Sequence, residues 1–181
     1  SGAEFRWSTE VTGWRVRGRQ IEAVRTSGGE LSADEYVLAA GSWSPGLARG
    51  LHLKLPVQAG KGYNITLPNP PRLPTVASTF VEARVAVTPM GSSLRFAGTM
   101  EIAGLDLSIN PAPTRSGLRP CSPDGLPYIG RTARCGNLCV ATGHAMMGLS
   151  LGPITGKLVA EIVSGEPPSL EISALRPDRC A

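Results

Sequence analysis

Gly117-Leu118-Arg119-Pro120-Cys121-Ser122-Pro123-Asp124-Gly125-Leu126-Pro127-Tyr128-Ile129-Gly130 reads as a loop that presents one arginine beside a strand-to-helix turn. Three prolines and three glycines stiffen the stretch, which puts Arg119 on a non-helical support rather than on a mobile surface helix. A guanidinium held that way suits a carboxylate, because its planar fork makes two parallel hydrogen bonds that lysine cannot. Downstream, Asn137 to Thr142 reads as a short buried strand and Gly143-His144-Ala145-Met146-Met147-Gly148 as a turn. Leu149 to Val163 then reads as a helix with Ile154, Leu158, Val159 and Ile162 toward the core. The first amides of that helix have no partners within it, so the turn favours an anion or an electron-rich carbonyl.

Working outward, the pattern from Glu4 to Gly41 is extended. Turns at Arg17-Gly18-Arg19 and Ser27-Gly28-Gly29 separate runs of alternating polarity such as Gln20 to Thr26, which predicts a β-meander. The apolar run Tyr36 to Ala40 ends at Gly41, and Ser42 and Pro45 open a short helix. From Leu55 to Thr99 the strands lengthen: Val57 to Leu67, Thr75 to Phe80, Ala83 to Thr88 and Ser93 to Gly98 predict an antiparallel sheet, with Pro68-Asn69-Pro70-Pro71 as a loop. The fold class is α+β. Three segments follow: 1–50 as meander and strand, 51–116 as the antiparallel lobe, and 117–181 as the arginine loop with its strand and helix.

Composition bounds the function classes. At 41% hydrophobic and 18% charged residues the chain has enough apolar content for a core and is not disordered. Its formal charge of +4 comes from scattered arginines without clusters or interleaved aromatics, which argues against a nucleic-acid surface. No apolar run approaches the roughly 20 residues of a spanning helix. The expectation is therefore a cytoplasmic protein, with any membrane association peripheral on the inner face. Cysteines 121, 135, 139 and 180 give no disulfide framework, and Cys135 and Cys139 with only two histidines in the chain give no zinc site.

The order GLRPxxPDGxPxIG, an apolar strand, then GHxxxG opening a helix resembles the C-terminal end of the FAD-dependent D-amino acid oxidase superfamily, nearest its D-amino acid dehydrogenase branch. Gly2 to Trp7 followed by Thr9-Glu10-Val11, the meander, the run Tyr36 to Pro45 and the ending Leu175 to Arg179 are similar to the family in order and spacing. Lys61-Gly62-Tyr63 is similar to its glycine-basic-glycine strand where two lobes meet. Two features depart from the pattern. No GxGxxG turn for the ADP half of FAD occurs in the 181 residues, and Pro111 to Ser116 stands where the family carries a helical segment. The resemblance thus implies the C-terminal part of a larger flavoenzyme, completed by a nucleotide-binding segment or a partner chain.

What it implies for the site is specific. Arg119 binds the substrate carboxylate, and Tyr63 and Met146 contact the substrate. Val11 lies at the adenine of FAD. Ala40, Gly41 and Trp43, together with Gly143, His144, Met147, Gly148, Leu149 and Ser150, lie at the cofactor, with amides from Met146 to Ser150 capping the flavin pyrimidine carbonyl. The implied reaction is oxidative deamination of a D-amino acid to a 2-oxo acid, with either a quinone chain or oxygen as final acceptor. Alternatives are a glycine or sarcosine oxidase-type enzyme, or a non-catalytic fragment or subunit without its own FAD site. From the residues alone other readings stay open: Arg119 pairing with Asp124, His144 as a base or a structural hydrogen-bonder, and Met146 and Met147 as an apolar wall or core filling.

Overall fold

Cross-strand pairing organises the described residues into three sheets. The computed structural model describes residues 2–102, 104–108 and 114–180. Strands β1 (Val11–Arg17), β2 (Gln20–Thr26) and β3 (Gly29–Leu31) form the antiparallel meander. β4 (Tyr36–Leu38) leads into a 3-10 turn (Gly41–Trp43) and helix α1 (Ser44–Arg49), with Pro45 in its first turn. β5 (Gln58–Pro68), β6 (Ser78–Phe80), β7 (Val85–Met90), β8 (Ser93–Glu101) and β9 (Thr114–Cys121) make a five-stranded antiparallel sheet in the order β6-β7-β8-β5-β9. β10 (Tyr128–Arg131) and β11 (Leu138–Thr142) join β4 in the order β10-β11-β4, with β11 and β4 parallel. Helix α2 (Gly148–Val163) follows, and the architecture is α+β.

The β10-β11-β4 sheet is covered on both faces, and its residues alternate accordingly. Leu138, Val140, Tyr128 and Leu38 pack with Ile21, Ala48, Leu51, Leu53 and Leu55 beneath the meander and α1. Cys139 and Ile129 point the other way, against Leu158 and Ile162 of α2, with Ile154 and Val159 at the margin. Asn137 stitches the meander to this sheet: its Oδ1 accepts the Ile21 N–H and its Nδ2 donates to the Ile21 carbonyl, each at 2.9 Å. Arg131 donates to both oxygens of Glu35 at 2.8 and 3.0 Å.

One expectation is corrected. The stretch from Gly117 to Cys121 is strand rather than loop, and β9 joins the sheet built from 58–101 instead of the unit that follows it. Proline is tolerated there because β9 is an edge strand, so the missing N–H of Pro120 leaves no interior ladder bond unmade. The stiffness inferred for Arg119 comes from sheet pairing. Residues 109–113, including the first half of the Pro111 to Ser116 segment that departs from the family pattern, lie outside the described residues. No helix among the described residues is long and apolar enough to cross a membrane.

Candidate active site

Strand pairing fixes which side chains share a face. Arg119 lies opposite Gly60, and Gly117 opposite Gly62, so all four point to one side of the sheet, together with Met100, which pairs with Gly62 from β8. A Cβ added at Gly62 would overlap Nη1 and Cζ of Arg119 and lie 2.8 Å from Nη2. The guanidinium thus rests on bare backbone. A Cβ at Gly60 would meet Met100 Sδ at 2.9 Å and Cys121 Sγ at 3.1 Å, so two sulfur-bearing side chains lie one strand step from the guanidinium. The face therefore presents a forked cation beside a soft, apolar floor. Among the described residues no acid pairs with Arg119; Asp124 is engaged by Arg179, at 2.7 and 3.0 Å.

Arg179 closes the loop that follows β9. It donates to the carbonyls of Leu126 and Pro127 at 2.7 and 3.1 Å and stacks on the Tyr128 ring at 3.8 Å. These bonds hold the Asp124 carboxyl well below the usual carboxylate range, the Arg179 hydrogen bond being the largest cause. Asp124 also accepts the Leu126 N–H at 3.1 Å. Its place is structural.

The parallel strands β4 and β11 deliver the second half of the site. Their C-terminal ends lie side by side, where ligands of parallel sheets bind. Gly41 follows β4 with φ +54° and Gly143 follows β11 with φ +84°, a backbone region open chiefly to glycine. The Thr142 hydroxyl donates to the Gly41 carbonyl at 3.1 Å and ties the two ends together. The arginine strand reaches the same place: β9 packs against the 3-10 turn, Ala145 N–H donates to the Pro120 carbonyl at 2.9 Å, and Cys121 and His144 form an isolated antiparallel bridge. The 3-10 turn Gly41–Trp43 is thereby brought to β9 and to the turn that holds Gly143 and His144.

The turn and helix start present polar backbone beside exposed apolar surface. Leu151 N–H makes the first helical bond, to Met147 O at 2.8 Å, so the amides of Gly148, Leu149 and Ser150 have no acceptor within α2. The Met147 amide is not available, since it donates to the His144 carbonyl at 2.8 Å. This narrows the expected run of amides, because the turn closes on itself before the helix begins. Met146, Met147, Leu149 and Trp43 are exposed, Leu149 at 96%. His144 Nε2 lies 2.9 Å from Thr155 Oγ1, and burial lowers its pKa, which favours neutral imidazole. A groove of about 320 Å³ runs beside it, lined by Val37, Ala39, Ala141 and the glycines of α2. Ser42 is buried, with a hydroxyl that has no partner among the described residues.

Two further expected residues lie outside this cluster. Tyr63 lies on the sheet face opposite Arg119 and donates its hydroxyl to Glu101 Oε2 at 2.5 Å. Val11 opens β1, in the meander sheet, opposite Thr26. Sequence reasoning missed Gly60, Met100 and Ser42. The period-2 spacing of Gly60 and Gly62 in a strand was the available signal for an object resting on that face.

A family model described as FAD dependent oxidoreductase (DAO) matches residues 1–115 and 107–162. The D-amino acid dehydrogenase of Paramagnetospirillum magneticum is 36% identical over 202 residues, covering 98% of this chain and 48% of that protein. That of Bradyrhizobium diazoefficiens is 37% identical over 204 residues, covering 99% and 48%. The chain spans about half the length of the curated relatives it matches. Glycine oxidase from Geobacillus kaustophilus superposes with a TM-score of 0.87 at 26% identity, over 96% of this chain and 52% of that one. L-proline dehydrogenase from P. horikoshii shares the fold, with a TM-score of 0.82 at 22% identity, over 94% and 53%.

Proposed function

Since the chain belongs to the FAD-dependent oxidoreductase family, we propose that it carries the substrate-anchoring and flavin-facing part of an enzyme that oxidatively deaminates D-amino acids to 2-oxo acids. The observation that supports this reading above others is the Arg119 guanidinium lying on the Gly62 backbone, on the face shared with Met100 and Cys121.

The residues fit the cofactor the family uses. Gly41, Gly143 and Gly148 keep side chains out of the way of a flat ring, Ser42 holds an orphaned hydroxyl, and the amides of Gly148, Leu149 and Ser150 suit a carbonyl that gains negative charge. FAD, when bound, supplies the acceptor for the substrate's α-hydrogen and its electron pair. Arg119 fixes the substrate carboxylate through a fork of two hydrogen bonds and so orients the α-carbon. Met100 and Cys121 offer an apolar floor to a small side chain and keep water from it. The imine product then hydrolyses to the 2-oxo acid and ammonia. His144 remains neutral and holds Thr155, a structural duty.

The test is Arg119→Leu in the FAD-loaded enzyme. The KM for D-alanine rises at least about 100-fold, as expected for losing a charge-assisted pair of hydrogen bonds worth about 3 kcal/mol, and the flavin absorbance stays. Unchanged turnover at low D-alanine refutes the carboxylate role. The similarity to glycine oxidase supports a second reading, in which glycine or another small amine is preferred. Comparing kcat/KM for glycine and D-alanine separates the two. Turnover with a quinone analogue against turnover with oxygen assigns the acceptor.

A further inference from the structure

Behind the floor on which Arg119 rests lies a charge that the proposed reaction does not use. Lys61 sits between Gly60 and Gly62 on β5 and points to the opposite face of the sheet, aligned with Leu118 of β9 and Glu101 of β8. Its side chain is only 2% exposed, although lysine is rarely buried without a partner. The ammonium lies 3.5 Å from Asp106 Oδ2 and 5.5 Å from the centre of the Tyr63 ring, and Tyr63 in turn donates to Glu101 at 2.5 Å. Asp106 is itself fixed, accepting the Ser108 amide at 2.8 Å and the Ser108 hydroxyl at 2.7 Å.

We propose that Lys61 is a positioning residue for the substrate-binding arginine: it ties the back of β5 to the Gly104–Ser108 segment and to the Tyr63–Glu101 pair, and so sets the height of the floor beneath the guanidinium. This rests on the reading of Arg119 as the carboxylate anchor. The coupling is short and mechanical. No side chain at Gly62 separates the guanidinium from the β5 backbone, so a displacement of that backbone passes directly to the fork. Lys61 occupies the residue between the two glycines that contact Arg119, Met100 and Cys121, so its partners act where the floor has least padding. Removing the ammonium leaves Asp106 and Glu101 as two acids without their shared cation, and the segment they hold loosens from the strand. Burial alone would depress the Lys61 pKa, but the neighbouring Tyr63 hydroxyl and the negative charges of Asp106 and Glu101 outweigh it and keep the group charged.

The experiment compares Lys61→Met, Lys61→Arg and Arg119→Leu in the FAD-loaded enzyme. It measures D-alanine kinetics, competitive inhibition by propionate, and flavin absorbance. Propionate has the carboxylate but no reacting amine, so its inhibition constant reads the anchor alone. In Lys61→Met, KM and the propionate constant rise together by about tenfold while kcat stays within about twofold, the pattern of lost uniform binding. Lys61→Arg recovers both to within about threefold. If Lys61→Met leaves KM and the propionate constant unchanged while Arg119→Leu raises them, the positioning role is overturned and the anchor stands. If Arg119→Leu changes neither, the anchor reading falls and this inference with it. Should Lys61→Met not yield folded, flavin-loaded protein, Asp106→Asn carries the test, because that carboxylate is half-exposed. A rise of about threefold in both constants is then expected, and no change overturns the proposal.

Discussion

Alanine at Gly62 separates the proposed substrate anchor from the fold in one substitution. The added methyl would occupy the position of the Arg119 guanidinium, overlapping Nη1 and Cζ. Gly62 has no left-handed φ, so alanine is sterically allowed in its own backbone and slightly favoured over glycine in a strand. The clash is with the far end of a long side chain, which swings away at little energetic cost. Stability therefore stays within about 1 kcal/mol, while the fork leaves its seat. Losing one or both charge-assisted hydrogen bonds to the carboxylate costs about 1.5–3 kcal/mol, which is about 10- to 100-fold in KM for D-alanine. Two neighbours supply internal controls. Gly60→Ala presses on Met100 Sδ and Cys121 Sγ rather than on the guanidinium and has a smaller effect on KM, while a methyl at Gly117 meets nothing within 4 Å and is neutral. The assay is steady-state oxidation of D-alanine alongside thermal unfolding of each variant. The reasoning fails if Gly62→Ala and Gly117→Ala show the same KM, or if Gly62→Ala unfolds many degrees earlier than wild type.

Two further outcomes concern stability and pH. Arg179→Ala removes the partner of Asp124 and three carbonyl contacts at once, and lowers unfolding free energy by about 2–3 kcal/mol; a denaturant midpoint shifted by less than half of that contradicts the clamp. Because the folded Asp124 pKa is depressed, its stabilisation is full above the ordinary carboxylate value and is lost as pH falls through the lower folded one. Asp124→Asn should therefore flatten the melting temperature below about pH 4. For His144 the folded pKa is also lowered, by burial, so its contribution is present above about pH 6.5 and lost as pH falls toward the folded value. His144→Gln removes that part of the stability slope, and an unaltered slope between about pH 5 and 7 counts against the buried neutral imidazole.

The strands were legible where polarity alternates or a run is continuously apolar. Gln20–Thr26 and Leu138–Thr142 are such cases, and α2 was legible from the spacing of Ile154, Leu158 and Ile162. β9 was not, because Gly117 and Pro120 carry the local signature of a loop, and only a partner strand at the sheet edge makes them extended. The proposal for Arg119 starts from its motif; its seat was not legible there, since Gly60 and Gly62 acquire meaning only through register with β9. Tyr63 shows the same limit from the other side. A residue one position from Gly62 lies on the opposite face, and a one-residue slip in pairing would exchange the two. Asn137 looked like a strand boundary, and its three bonds to Ile21 and Asp34 depend on contacts more than 100 residues away in sequence.

Arg119 and the turn after β11 belong to different sheets, yet a short backbone path joins them. Among the described residues β9 has no neighbouring strand of its sheet on its outer side, and Pro120 has no N–H to satisfy there. Its carbonyl is therefore available to accept Ala145 N–H at 2.9 Å. Ala145 has φ +47°, a left-handed conformation that costs an ordinary residue about 1–2 kcal/mol and persists only where neighbours over-determine it. The bond to Pro120, the Cys121–His144 bridge and the His144–Thr155 contact supply that constraint. The distance between the Arg119 strand and the amides at the start of α2 is thus governed by a strained, multiply tied turn. On the proposed reading, an enzyme that must align a carboxylate, an α-carbon and a ring acceptor gains from a direct backbone tie between the strand that carries Arg119 and the turn that opens α2.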